Sequence, residues 1–368
     1  MSSPRLIVIV PRVAPLMDGV GDYALALARG LRAEFNIDSS FVVTDPAWKG
    51  SQVDGFAVHR LPGHTADELF EALRQERAGT VLLHYEGYAY AKRGCPNWLV
   101  EALERWHEAN ERLLLTVFHE LYASGPPWTS SFWLSHHQRS LVTRLARLSG
   151  QNFTSLALYA RRLEQMGNSA NGIAVFSSIG EPLQTPLPLT SRRRRMVVFG
   201  TGGRRLQVYE RSSESLIRIC RELDIEEIWD IGRESDSHPV PNMGVPVITC
   251  GQMSGPAVRE ILLDSIAGVI DYPADMLAKS TIFAAYCAHR MMPLVAGYGS
   301  ADDSDGLVLG AQYQLVDDLR ELDLSSAQRI ADNAFDWYQT HRLAVHTQRL
   351  AAHLETVTPE AREVLVHA

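Results

Sequence analysis

The 368-residue sequence predicts an α/β protein made of two doubly wound halves. Three observations carry that reading. Short apolar runs of strand character alternate with amphipathic helical patterns, the signature of parallel sheets covered by helices. The alternation stops at one proline-rich stretch, from Ile179 to Ser191, and then restarts. Each half also opens on an apolar strand that runs straight into a glycine-bearing turn, Gly19 and Gly21 in the first and Gly202 and Gly203 in the second.

Composition sets the outer bounds. Hydrophobic residues make up 46% and charged residues 21%, as in an ordinary globular protein with enough apolar material for two cores. The net charge of −8 argues against a dedicated nucleic-acid binder, so no nucleic-acid partner is expected. Four scattered cysteines (Cys95, Cys220, Cys250, Cys287) form no C-x-x-C pair and no metal spacing, so no metal is expected. The apolar run Leu6–Val10 is too short for a signal segment or a membrane span. The expected location is cytoplasmic, with at most peripheral contact at the inner membrane face.

In the first half, Leu6–Val10 reads as a strand and ALALARGLRAEF as a helix, with the loop Pro15–Tyr23 between them. Gly19 and Gly21 let backbone approach a ligand at that helix N-terminus. The loop is not a dinucleotide fingerprint, because Ala24 holds the place of the third glycine. Strands follow at Phe41–Thr44, Ala57–Leu61, Thr80–Glu86, Leu113–His119 and Asn152–Ser155. Helices fall at Thr65–Gln75, Pro96–Asn110, 129–150 and Ala157–Met166. His84, Glu86, His119 and Glu120 thereby sit at carboxyl ends of strands, where doubly wound sheets collect their chemistry. His119-Glu120 is not a zinc motif, since the second histidine is missing, and His136 and His137 read as surface positions.

The stretch 181–195 reads as an interdomain linker, its four arginines Arg192–Arg195 a solvated junction. The second half then gives strands at Met196–Gly200, Glu227–Gly232, Val245–Cys250 and Ala267–Asp271, with helices at Ser212–Leu223 and 254–263. Next comes DYPADMLAKSTIFAAYCAHRMMPLVAG, the segment around which the chain is organised. A helix capped near Lys279-Ser280-Thr281 opens at the end of a strand, and Pro293 ends it ahead of Leu294–Gly297. Its free N–H groups point into the crevice where such sheets bind ligands, favouring an anion such as a nucleotide diphosphate. Ala327–Leu354 carries one long helical pattern, broken around Thr340-His341.

These features together resemble the GT-B fold glycosyltransferases, and within them the bacterial nucleotide-sugar transferases of polysaccharide and glycolipid assembly. The resemblance rests on two Rossmann-like halves, the loop Pro15–Tyr23, the tyrosine-rich His84–Tyr90 with Pro96-Asn97-Trp98-Leu99, the strand end Phe118-His119-Glu120, and Asn333–Tyr338 with His341. It implies two domains facing across a cleft. Residues 1–180 would hold the acceptor, 196–330 the nucleotide sugar, and 331–368 would form helices packing back on the first domain. The donor, UDP- or GDP-linked, would meet Gly19, Gly21, Gly202, Gly203, Arg204, Arg205, Lys279, Ser280 and Thr281, with no cofactor. His119 would hydrogen-bond the sugar or take a proton from the acceptor, with Glu120 as a second carboxylate candidate. Asp22, Tyr23, His84, Glu86 and Tyr88 are the acceptor-side candidates, and the implied acceptor is a glycan, lipid-linked or small molecule.

One departure stands out. Retaining members carry a glutamate pair around the phosphate-binding helix, and here Ala278 and Tyr286 occupy those places. Two readings follow: a metal-independent hexosyltransferase, or a catalytically silent protein of the same fold serving as a nucleotide-binding or scaffold subunit.

Overall fold

A computed structural model describes residues 5–16, 18–76, 79–109, 113–173, 175–233, 242–299 and 305–355. The chain separates into two compact units, Met1–Ile173 with Leu343–Ala368, and Ala174–Arg342.

Unit 1 is built on strands β1 (Arg5–Val10), β2 (Asp38–Val43), β3 (Gln52–Val53), β4 (Phe56–Arg60), β5 (Thr80–Tyr85), β6 (Leu113–Phe118), β7 (Gln151–Thr154) and β8 (Asn171–Gly172). Among the described residues they form one sheet in the order β3-β4-β2-β1-β5-β6-β7-β8, parallel except for the β3–β4 pair. Its helices are α1 (Gly19–Phe35), α2 (Ala66–Glu76), the short α3 (Gly87–Tyr90), α4 (Asn97–Glu108), α5 (Ser130–Leu148) and α6 (Ala157–Gln165). The strands are apolar on both faces: Leu6 to Val10, Val81 to Leu83 and Leu114 to Leu115 are essentially inaccessible, as expected of a sheet covered on two sides. β1 pairs with β2 on one side and β5 on the other. The strand order therefore reverses beside β1, and the crevice at its carboxyl end faces the start of α1.

Unit 2 repeats the plan with β9 (Arg193–Phe199), β10 (Glu227–Ile231), β11 (Val247–Gly251), β12 (Ser265–Ile270), β13 (Met292–Val295) and β14 (Gln314–Leu315). Their order is β11-β10-β9-β12-β13-β14, and every pairing is parallel. Here the reversal lies between β9 and β12. Helices α7 (Gly202–Glu222), α8 (Gly255–Leu263), α9 (Thr281–Ala288) and α10 (Leu324–Gln339) cover it, and the core joins Met196, Val198, Leu216, Ile228, Val269 and Ile330.

The last helix, α11 (Leu343–Glu355), belongs to unit 1 and lies against α1. The approach is close: a Cβ on Gly30 would sit 2.4 Å from Thr347 Cγ2. α10, by contrast, packs on α9 and β13 within unit 2. The residues 356–368, expected to extend these helices, lie outside the described residues.

Three sequence expectations need correcting. The arginine run is not a solvated junction, because Arg193–Arg195 begin β9. Arg192 donates to the carbonyls of Leu187, Ser265 and His289, while Arg195 pairs with Glu227 at 2.8 Å and lies 3.9 Å over the Trp229 ring. Arginine is buried here because each guanidinium finds acceptors. Second, the helix expected at Ser212–Leu223 is preceded by a helical segment that starts at Gly202, the two meeting at a kink at Ser212. The two glycines, poor helix formers, hid its first turn. Third, α9 ends at Ala288 and Arg290 takes a positive φ of 53°, so Pro293 lies within β13 and does not stop the helix.

Candidate active site

Unit 2 holds a cavity of about 490 Å³ at the point where its strand order reverses. Thr201, Gly203, Arg204, Gln207 and Arg211 line it from α7. Asp271, Tyr272 and Pro273 line it from the end of β12, and Gly297 and Tyr298 from the end of β13. A second cavity of about 260 Å³ shares Thr201, Arg204, Asp271 and Tyr272 and reaches Lys279, Ser280, Thr281 and Ile282 at the start of α9. Two helix N-termini thus open on one crevice. The first N–H groups of a helix lack intrahelical acceptors and carry partial positive charge, so this is a place for an anion. Two local features keep it open. Gly200, at the exit of β9, has φ 148°, which a side chain would resist. A Cβ on Gly203 would meet nothing within 4 Å, leaving the α7 amides approachable.

Charge is organised around Asp271. Its carboxylate is buried and receives Arg204 at 3.0 Å and Arg211 at 3.4 Å, and both arginines are about half exposed. One carboxylate shared by two guanidinium groups leaves a net positive charge at the cavity wall. Arg204 also lies 5.5 Å over the Tyr272 ring, which fixes the plane of its guanidinium. Asp271 and Arg211 were missed as site residues by the sequence reading. Arg211 stands two helical turns after Arg204, a spacing that places both on one face once α7 is known to begin at Gly202.

Other expected donor residues take different positions. Arg205 is turned inward, paired with buried Asp230 and donating to the Gly200 and Arg233 carbonyls, and burial pushes its pKa down. Its charge is therefore committed inside the unit. Ser280 caps α9, its hydroxyl accepting from Phe283 N–H at 3.2 Å, and Thr281 is the first helical residue. Lys279 is half-buried at the wall of the smaller cavity. Tyr286 is buried completely: its hydroxyl donates to the Val269 carbonyl at 3.0 Å and accepts from Phe199 N–H at 3.1 Å. It ties β12 to β9 just below the cavities.

Unit 1 gathers a second group. Asp18 caps α1, and Gly21 is there for packing: a Cβ on it would stand 1.9 Å from the Arg12 carbonyl oxygen. Gly19 is open, with nothing near its missing Cβ. Tyr23, buried in the second turn of α1, presents its ring edgewise to His84 at 5.7 Å and to His119 at 5.1 Å. Its hydroxyl meets His346 Nδ1 of α11 at 2.9 Å. His84 is the penultimate residue of β5, paired with Val117 of β6, and His119 follows β6, so the two imidazoles lie at neighbouring strand ends and meet, Nδ1 to Nε2, at 3.0 Å. Burial, with His119 alongside, holds the His84 pKa well below the ordinary histidine value. Glu86 and Glu120 are half-buried nearby, Asp22 is exposed, and Tyr88 is exposed with its hydroxyl 3.3 Å from Gln138 Nε2. No group of three or more His, Cys, Asp or Glu among the described residues is arranged to hold a metal ion. No described helix is long and apolar enough to cross a membrane.

Comparison with known proteins gives a consistent answer at the level of fold. No family model matches the chain, and no curated protein matches it either. Solved structures do. An E. coli trehalose-6-phosphate structure bound with UDP-2-fluoro glucose is similar with a TM-score of 0.63 at 10% identity, over 96% of this chain and 100% of that one. A glycosyltransferase from Rickettsia africae ESF-5 is similar with a TM-score of 0.63 at 11% identity, over 97% and 98%. An alpha-glucosyltransferase in complex with UDP is similar with a TM-score of 0.56 at 9% identity, over 96% and 100%.

The same comparisons overturn the exclusion of nucleic acid that was drawn from net charge. Further similar structures hold alpha-glucosyltransferase with DNA, among them a 13-mer with a central mismatch and DNA containing an abasic site. A whole-chain charge of −8 averages over the surface and does not fix what one face of the fold accepts. From the two parallel-sheet units and these likenesses, the chain has the GT-B fold.

Proposed function

We propose that the protein is a glycosyltransferase that takes a sugar from a nucleoside-diphosphate sugar, UDP- or GDP-linked, and transfers it to a hydroxyl of an acceptor. The observation that carries this reading is the crevice at the β9/β12 reversal, where the starts of α7 and α9 converge beside Arg204 and Arg211. As the glycosidic bond breaks, the leaving diphosphate gains charge, and fixed N–H groups and guanidinium groups aimed there lower the barrier. Gly202, Gly203 and Thr201 supply the α7 amides; Thr281 and Ile282 supply those of α9, with Lys279 beside them. This positive set serves as counter-charge in a hexosyl transfer without metal. His119 and Tyr23 belong to the acceptor side, with Glu86, Glu120 and Tyr88 around them. The reaction belongs in this reading to the cytoplasm and to glycoconjugate assembly, and DNA counts among the acceptors to assay.

Calorimetric titration with UDP, GDP, ADP, CMP and their sugar conjugates tests the donor site. Binding of one nucleotide is expected, weakened in Arg204→Ala and in the Lys279→Ala/Ser280→Ala double variant. No binding of any of them would sink the assignment.

The second reading, a silent nucleotide-binding subunit, is favoured by Tyr286. Where the resemblance expects a carboxylate, a phenol spans Phe199 and Val269. The two readings separate on turnover: a silent protein binds the nucleotide sugar and releases no nucleoside diphosphate with any acceptor or with water.

A further inference from the structure

We infer that unit 1 docks on an anionic lipid bilayer surface through the start of α5, with Trp128, Phe132 and Trp133 entering the headgroup layer and Lys92, Arg93 and Arg139 meeting lipid phosphates. Exposure is the first ground. Trp128 is 84% exposed, Trp133 73% and Phe132 42%. A single apolar residue on a surface is ordinary, but three large aromatic side chains within six residues of one helix start make a patch.

The patch is held in place by local bonds. Thr129 caps α5 by accepting from the Phe132 N–H, which sets Trp128 just ahead of the helix and the other two rings in its first turn. Trp133 Nε1–H donates to the Pro127 carbonyl at 2.8 Å, and the Phe132 and Trp133 rings meet edge to face, 5.4 Å apart at 86°. With its one polar atom satisfied inside the protein, the Trp133 ring can leave water at little polar cost. Indole rings favour the boundary between lipid headgroups and acyl chains, where one end of the ring is apolar and the other wet.

Charge selects the kind of surface. From Leu121 to Leu163 the sequence holds five arginines and no aspartate or glutamate, although the whole chain carries 43 acidic residues. Arg139 lies two turns after Phe132 on the same exposed face of α5. Gln138 Nε2 donates to the Arg93 carbonyl at 2.8 Å and so holds the loop with exposed Lys92 and Arg93 against α5. Glu101 and Glu104 on the adjoining α4 both act on Arg144, further along α5. Aromatic rings flanked by exposed positive charge match a surface that offers an apolar layer behind a layer of phosphates. A second copy of the chain would instead set arginine against arginine. Rings at right angles give no parallel platform for successive bases, which a single-stranded nucleic acid would need.

The test is co-sedimentation of the full chain with vesicles of phosphatidylcholine alone and of phosphatidylcholine mixed with phosphatidylglycerol. Binding to the mixed vesicles is expected, weaker on the neutral ones and reduced by salt. Trp128→Ser/Trp133→Ser should weaken it about tenfold or more, and Arg139→Gln about fivefold. Leu319→Ser, at an 86% exposed leucine of unit 2, should leave it unchanged. The substituted side chains are all exposed, so the variants should fold, which a thermal melt checks. Absence of binding to the mixed vesicles, equal binding to both kinds, or undiminished binding by the tryptophan variant overturns the inference. A patch that binds an oligonucleotide, or pairs two copies of the chain, while leaving vesicles unbound overturns it as well. No nucleotide sugar is present, so the outcome is separate from that of the calorimetry, and the docking stands independently of the proposed glycosyl transfer.

Discussion

Removing the Tyr286 hydroxyl is the sharpest perturbation of unit 2. Tyr286→Phe keeps the ring, which lies so close to β12 that a Cβ on Gly268 would come 2.5 Å from it, and deletes only the oxygen. That oxygen accepts from Phe199 N–H at 3.1 Å and donates to the Val269 carbonyl at 3.0 Å, with the side chain fully buried. A net hydrogen bond contributes about 1 kcal/mol, and a buried N–H left without acceptor costs about 1–3 kcal/mol. The variant should therefore lose about 2 kcal/mol. In urea this appears as a lower midpoint with unchanged slope, and on heating as a drop of roughly 4–8 °C for a unit of this size. A loss below about 0.5 kcal/mol would refute the bridge between β9 and β12. Tyr286→Glu extends the test. A carboxylate there has no water and no cation, so it should destabilise the unit more than phenylalanine does. If Tyr286→Glu instead left stability intact and tightened UDP binding, the residue would face the ligand after all.

Four further outcomes follow from particular contacts. Arg204→Ala and Arg211→Ala should each weaken nucleotide binding about tenfold or more, the worth of one charge-assisted contact to phosphate, as read by calorimetry. Arg205→Met should behave oppositely, costing about 3 kcal/mol of stability by leaving Asp230 buried and unpaired while barely changing nucleotide affinity. Gly21→Ala should cost about 3 kcal/mol or prevent folding, because the new Cβ meets the rigid Arg12 carbonyl; thermal melts decide this. His289 should make stability fall with acid. Burial lowers its pKa from 6.5 to about 4, so the unfolded chain takes the proton first. The loss begins below about pH 6.5, ends near pH 4 and totals about 3 kcal/mol. His289→Asn, which keeps a donor for the Ala285 carbonyl, should flatten that part of the stability–pH curve, and an unaltered curve would count against it.

The two-unit α/β plan was legible from the apolar pattern alone. Parallel strands buried on both faces must be apolar throughout, so Leu6–Val10, Leu113–Phe118 and Ala267–Ile270 declare themselves without context. The sequence also marked the start of α9, because Ser280 caps by a local hydrogen bond to a near neighbour, whereas α1 begins at Gly19, inside the stretch read as a loop, behind the cap of Asp18. The placement of His84 and His119 at adjacent strand ends was legible for the same reason, a strand run followed by its exit.

Tertiary structure alone decided what each charged residue does. Arg204 and Arg205 are neighbours in sequence, yet one faces a cavity beside Asp271 and the other is buried against Asp230. A helix turns about 100° per residue, so their roles depend on where α7 begins, and its glycines concealed that start. Arg192 and Arg195 read as a solvated run until the Ser265 and His289 carbonyls and the Glu227 carboxylate are brought in from 32 to 97 residues away. His346 joins Tyr23 across 323 residues, a contact no local pattern encodes. Apolar periodicity is a property of the chain, whereas the energy of a buried polar group is a property of its partners. Partners at such separations are assigned only by the packed fold.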